Sequence, residues 1–150
     1  ESSHVVIVAR DYAEKYTGAT NLEEACCIIH DRGALIAGVT DGANGSYFVW
    51  PDGTAYRCQP FPQASVVDTT GAGDSFHGAF LSKLAVSIRQ ENALYGEFIK
   101  PIDILQSLDH KQLESAAIFA SAVSALNTQG IGGRSALPSL KSACNLAGLE

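Results

Sequence analysis

Asp68-Thr69-Thr70-Gly71-Ala72-Gly73-Asp74 is the run on which the reading of this chain turns. It follows Ser65-Val66-Val67, which reads as a short strand. It then runs into Ser75-Phe76-His77-Gly78-Ala79-Phe80-Leu81-Ser82-Lys83-Leu84, whose apolar spacing predicts a helix. Without Cβ atoms at Gly71 and Gly73 the backbone can come close to a ligand, and the free N–H groups of the new helix's first turn then point at it. The helix dipole adds partial positive charge there, so the turn suits a phosphate or a group developing negative charge. Asp74 stands beside that cradle. Its carboxylate can accept a proton from a hydroxyl attacking phosphorus held by the amides, and the pairing points to phosphoryl transfer to an alcohol. The plainer alternative is that the glycines only allow a tight turn and Asp74 only caps a helix.

Outward from this run, the 150 residues are 46% hydrophobic, which predicts one domain over residues 1–150 with a real core. Ten basic residues against sixteen acidic ones give a net charge of −6 without a basic run, arguing against nucleic acid or an anionic membrane as partner. No apolar stretch is long enough to span a bilayer. Cys26, Cys27, Cys58 and Cys144 form neither a CxxC pair nor a disulfide-like framework, and no signal peptide opens the chain. A reducing cytoplasm fits, with the cysteines expected as buried small apolar residues.

His4-Val5-Val6-Ile7-Val8-Ala9 is continuously apolar, as a buried parallel strand is. Asp11 begins a helix through Tyr16 that Gly18 closes, and Asn21 caps a second, with Leu22, Ala25, Cys26 and Ile29 on its buried face. The next strand, Ala34 to Thr40, ends in Thr40-Asp41-Gly42-Ala43-Asn44-Gly45. Ligands bind open α/β sheets at such carboxyl ends, although these residues taken without the downstream signature are better described as a glycine-rich hairpin turn. Ser46 to Trp50, the turn Pro51-Asp52-Gly53 and Thr54 to Cys58 read as a β-hairpin, which Pro60 and Pro62 end. Ser87 to His110 shows no clean period and reads as a loop with short helices. From Lys111 a long alanine-rich helix runs to Asn127-Thr128-Gln129-Gly130-Ile131-Gly132-Gly133, and Leu137, Pro138 and Leu140 start a last short helix. Strand and helix alternation with an antiparallel hairpin predicts a three-layer α/β/α domain.

The ungapped signature in its strand-turn-helix setting resembles that of the ribokinase-like (PfkB-type) carbohydrate kinases. The resemblance implies a Rossmann-like, mostly parallel sheet and transfer of phosphate from ATP to a primary hydroxyl of a sugar. Asp74 would be the catalytic base, and the amides of Gly71, Ala72, Gly73 and Asp74 the anion hole. Thr40, Gly42 and Gly45 would lie against the nucleotide phosphates, and Asn127 beside the nucleotide. Asp68, Thr70 and carbonyls near Ala125, Thr128 and Gly130 would supply hard oxygen ligands to potassium or sodium. His77, about one helical turn from the cradle, either approaches the acceptor or is packed or solvated.

The sequence departs from the family at two points. Its Asn-x-x-Glu motif falls on Ala9 and Tyr12, neither of which replaces a carboxylate, and Val8-Ala9-Arg10-Asp11 is similar to the ketohexokinase-like branch. Magnesium would then be held mostly by ATP and water. The resemblance also covers only the carboxyl-terminal half of the family's length, without the amino-terminal half and its lid. A fragment is therefore expected, associating with that half or with a second copy. Two rivals stay open: a non-catalytic nucleotide-binding module, and a nucleoside or vitamin-precursor kinase of the same fold.

Overall fold

The computed structural model describes residues 3–62, 65–95 and 99–149. The chain runs β1 (Val5–Ala9), α1 (Arg10–Thr17), α2 (Leu22–Asp31), β2 (Ile36–Thr40), a 3₁₀ turn (Gly42–Asn44), β3 (Ser46–Val49), β4 (Ala55–Cys58), α3 (Ala72–Tyr95), α4 (Pro101–Ser107), α5 (His110–Asn127) and α6 (Leu140–Ala147). The strands form one sheet in the order β1-β2-β3-β4. β1 and β2 are parallel, with Ile7 opposite Gly38, whereas β2, β3 and β4 pair antiparallel. The sheet is thus mixed where a mostly parallel one was expected. Among the described residues only α1 and α2 make a crossover between neighbouring strands, and short turns join the others.

Alternation along the strands divides the core in two. Ala37, Val39 and Val49 pack with Ala13 of α1 and Ala25, Cys26 and Ile29 of α2. Ile7, Ile36, Phe48 and Trp50 face the opposite way, onto Phe76 and Phe80 of α3 and Leu113 and Phe119 of α5. The result is three layers, as sheets with two apolar faces require. Phe48 is the hub of the second layer: its ring stacks with Trp50 at 4.9 Å, Phe80 at 5.4 Å and Phe76 at 6.3 Å. Gly38 makes room for it, since a Cβ there would stand 2.6 Å from Phe48 Cε1.

Local signals place the helix ends. Gly18, at φ 79°, closes α1, and the Asn21 side chain accepts from Glu24 N–H to open α2. A capping box opens α5, in which Asp109 accepts from Gln112 N–H and the Gln112 side chain accepts from Asp109 N–H. Four expectations are corrected. Ser65-Val66-Val67 is not a strand: the N–H groups of Val67 and Asp68 both donate to Thr128 O, and Val66 and Val67 stay 59% and 52% exposed. The stretch from Ser87 is helical through Tyr95, because α3 continues on good helix formers that lack an apolar stripe; residues 96–98 lie outside those described. The last helix begins after Ser139, whose side chain caps it, leaving Leu137 and Pro138 outside. Cys27 is exposed, Cys144 half-buried, and Cys26 and Cys58 are buried. Among the described residues no helix is long and apolar enough to cross a membrane.

Gly38→Ala should lower stability by about 1–3 kcal/mol through overpacking against Phe48. Chemical denaturation checks this, and adding Phe48→Leu should recover part of the loss.

Candidate functional site

Between the carboxyl ends of β1 and β2, the start of α3 and the end of α5 lies a cavity of about 570 Å³. Thr40, Gly42 and Gly45 form one wall, and Thr69, Ala72 and Gly73 another. Pro60, Phe61, Pro62 and Val66 give it an apolar side, and Ser121, Ser124 and Ala125 of α5 complete it. A volume of this size suits a small molecule with one apolar end and one anionic end.

The two signature glycines differ in their surroundings. Gly71 sits at φ 75°, and a Cβ on it would lie 2.6 Å from Gly133 Cα and 2.8 Å from Gly133 O. It is pinned backbone to backbone on the loop after α5. A Cβ on Gly73 would meet nothing within 4 Å, so Gly73 opens onto the cavity. Of the four amides expected to hold an anion, Ala72 N–H already donates to Thr69 O at 3.1 Å. Gly71, Gly73 and Asp74 N–H have no partner among the described residues, as the first turn of a helix leaves them. Ser75 and Ser124 both donate to Ala72 O at 2.9 Å, so α5 holds the turn from behind. Asp74 is exposed, and among the described residues its carboxylate meets no donor. Three free amides and a free carboxylate therefore share the first turn of α3.

The segment from Thr40 to Gly45 closes a hairpin and borders the cavity. Thr40 pairs with Ser46, so it is the hairpin connection between β2 and β3, and it also lines the cavity. Asp41 N–H donates to Gly45 O at 2.8 Å and Asn44 N–H to Asp41 O at 2.9 Å. Gly45, at φ 87°, lies against Cys58 O, where a Cβ would clash at 2.3 Å. Arg10 ties the loop to α1 through Asp41 at 3.1 Å and Glu14 at 2.8 Å.

Asp68 works as a latch. One carboxylate oxygen accepts from Thr70 N–H at 2.9 Å and the other from Gly132 N–H at 2.8 Å. These backbone donors hold its carboxyl below the usual range. Thr128 O accepts from Val67 and Asp68, and Ala125 O accepts from Thr128 N–H and its hydroxyl. Gly130 packs against Ala136, where a Cβ would stand 2.8 Å from its methyl. The structure thus gathers Asp68, Thr70, Ala125, Thr128 and Gly130 at one loop junction, with the Asp68 carboxylate and two of the carbonyls already accepting hydrogen bonds. Among the described residues no three His, Cys, Asp or Glu side chains converge as a metal site.

Asn127 does not reach the cavity. It is fully buried, donates to Gly133 O at 3.2 Å and leaves its own Oδ1 without a partner. Ala9 is on the cavity wall, whereas Tyr12 is exposed and stacks on Tyr16. His77 turns to backbone carbonyls, at 2.8 Å from Gly73 O and 2.7 Å from Ile7 O. The wall residues Pro60, Phe61, Pro62, Ser121 and Ser124 were not found by sequence reasoning. The two prolines were visible only as the end of a hairpin, and the serines carry no local signal.

Comparison with known proteins bears on the same residues. Residues 1–140 match the model of the pfkB family carbohydrate kinase. A bifunctional ribokinase/ribose-5-phosphate isomerase A of Fructilactobacillus sanfranciscensis is 31% identical over 116 residues, 77% of this chain and 17% of that protein. The fold is similar to ribokinase from Giardia lamblia, with a TM-score of 0.76, 17% identity, and coverage of 95% of this chain and 43% of that one. It is also similar to a double mutant of fructokinase from Vibrio cholerae O395 in its fructose, ADP and potassium ion bound form, with a TM-score of 0.74, 23% identity, and coverage of 97% and 41%. The chain therefore spans well under half the length of these three proteins. With the family model matched over nearly the whole sequence and the ribokinase-like α/β fold around it, the chain belongs to the pfkB family of carbohydrate kinases.

Proposed function

We propose that this chain is the nucleotide-binding, base-carrying part of a cytoplasmic kinase that moves the γ-phosphoryl group of ATP to a primary hydroxyl of a sugar. The observation that carries the reading is that a free carboxylate, Asp74, and the free N–H groups of Gly71, Gly73 and Asp74 share the turn that opens α3, where Thr69, Ala72 and Gly73 wall the cavity. The Thr40 to Gly45 loop bounds that same cavity. Asp74 takes the proton of the acceptor hydroxyl as its oxygen bonds to phosphorus, while the bond from that phosphorus to the bridging oxygen of ADP breaks. The cradle amides stabilise the charge on the group in transit, and positioning supplies the remainder. Ala72 N–H, bonded to Thr69 O, is the weakest member of the proposed anion hole.

The open space over Gly73 fits a phosphate, which can approach to hydrogen-bond distance only where no Cβ intervenes. Thr40, Gly42 and Gly45 would face the nucleotide phosphates, while Asn127 acts from behind by holding Gly133. Magnesium would neutralise phosphate charge. Ala9 and Tyr12 offer it no carboxylate, so ATP and water would hold most of its coordination. Asp68, Thr70, Ala125, Thr128 and Gly130 are the proposed surroundings of a potassium or sodium ion, and no step of the reaction runs through it. A ketose is the favoured acceptor, on the departure at Ala9 and Tyr12. The partner would be the complementary amino-terminal half or a second copy. The same departure favours, as a second reading, a module that binds nucleotide without turning it over; binding without turnover over a sugar panel would select it.

In a preparation that turns over, Asp74→Asn should lower kcat by about 10²- to 10⁴-fold while ATP still binds; unchanged turnover removes Asp74 from the mechanism. The two glycines should separate in a paired test. Gly71→Ala should cost more than about 1 kcal/mol of stability, since it demands a positive φ and strikes Gly133. Gly73→Ala should keep the melting temperature yet weaken nucleotide binding at least about fivefold, because its methyl group enters the anion's place.

A further inference from the structure

His77 has a role that neither the base nor the cradle accounts for. It lies in the second turn of α3, and its ring is shared between two main-chain oxygens far apart in sequence. Nδ1 stands 2.8 Å from Gly73 O, in the first turn of its own helix, and Nε2 stands 2.7 Å from Ile7 O, in β1. Ile36 N–H donates to His4 O, and in a parallel pair the bonding residues alternate. His4, Val6 and Val8 therefore offer their carbonyls to β2, whereas Val5, Ile7 and Ala9 turn theirs outward. β1 is at the edge of the sheet among the described residues. Among the described residues no strand takes Ile7 O, and Nε2 of His77 lies within hydrogen-bond distance of it.

The two tied segments are two walls of the cavity. β1 ends at Ala9, on the wall, and Gly73 is the open glycine of the cradle, one residue before Asp74. The hydrophobic layer under α3 resists compression at Phe76 and Phe80 but is non-directional about rotation of the helix's first turn. A ring with two fixed nitrogens is directional. We propose that His77 is a positioning residue: it fixes the first turn of α3 against the outer edge of β1, and so sets where the cradle and Asp74 stand relative to bound nucleotide. The effect on nucleotide rests on the proposed function; the strut does not. Gly73 O already accepts the His77 main-chain N–H within α3, so the tie to β1 needs one donor, at Ile7 O; an imidazole or the NH₂ of a carboxamide has it, and a phenyl ring has none.

The test compares His77→Phe, which keeps a ring but loses the ring nitrogens, with His77→Gln, which offers an amide donor. Amide hydrogen exchange at Ser75 to Gly78 should speed up at least about tenfold in His77→Phe and return to within about threefold of the wild type in His77→Gln. Calorimetric titration with MgADP should show affinity falling at least about fivefold in the first variant and recovering in the second. Exchange within twofold of the wild type in His77→Phe overturns the strut. Faster exchange with unchanged affinity overturns the positioning role, as does a deficit that His77→Gln fails to repair while both variants melt together. A wild-type chain that takes up no MgADP counts against the proposed function, and the exchange data alone then decide the strut.

Discussion

Gly71 at positive φ, pressed on Gly133, is the contact to which the rest of the site is subordinate. Two backbones meet there at a distance no side chain permits, and everything needed to keep them together surrounds the contact. Asp68 reaches across to Gly132, Asn127 donates to Gly133 O from beneath, and Thr128 O collects the N–H groups of Val67 and Asp68. Each bond is of ordinary strength, about 1 kcal/mol net. Together they leave the signature turn one conformation. The amides of Gly71, Gly73 and Asp74 stay free because they open a helix, whose first N–H groups have no intrahelical acceptor.

The aromatic layer has the complementary task. Phe76 follows the signature by two residues and stacks on Phe48, which stacks in turn on Trp50 and Phe80. Burial of these rings anchors the helix to the sheet non-directionally. Hydrogen bonds to Ala72 O from Ser75 and Ser124 then orient its first turn. Stability and geometry thus come from different residues. A change at Gly38 should loosen the whole domain, whereas a change at Gly73 should touch only what binds.

Much of this was legible in the chain. The helix around Ala13, the cap at Asn21, the hairpin of β3 and β4 and the long α5 follow from periodicity and turn chemistry, which are local. The glycine-bearing turn from Asp68 to Asp74 and the helix that follows it were legible for the same reason. What escaped depends on tertiary partners. Val66 and Val67 have strand composition, yet Thr128 claims the two N–H groups that a neighbouring strand would have taken. The second half of α3 has no apolar stripe because much of it faces solvent, so periodicity was silent there. The family resemblance put Asn127 beside the nucleotide, and the hydrogen bond from its buried side chain to Gly133 O is a tertiary contact that no local pattern shows. No short-range pattern could disclose that Gly71 is pressed on Gly133 while Gly73 opens on the cavity.

The most direct test of the central claim is an amide NMR titration of the chain with MgADP. Shifts concentrated at Thr40 to Gly45 and Gly71 to Asp74 are the predicted result. Saturable shifts confined to another surface, such as the groove lined by Lys83, Gln90 and Lys111 between α3 and α5, would contradict it.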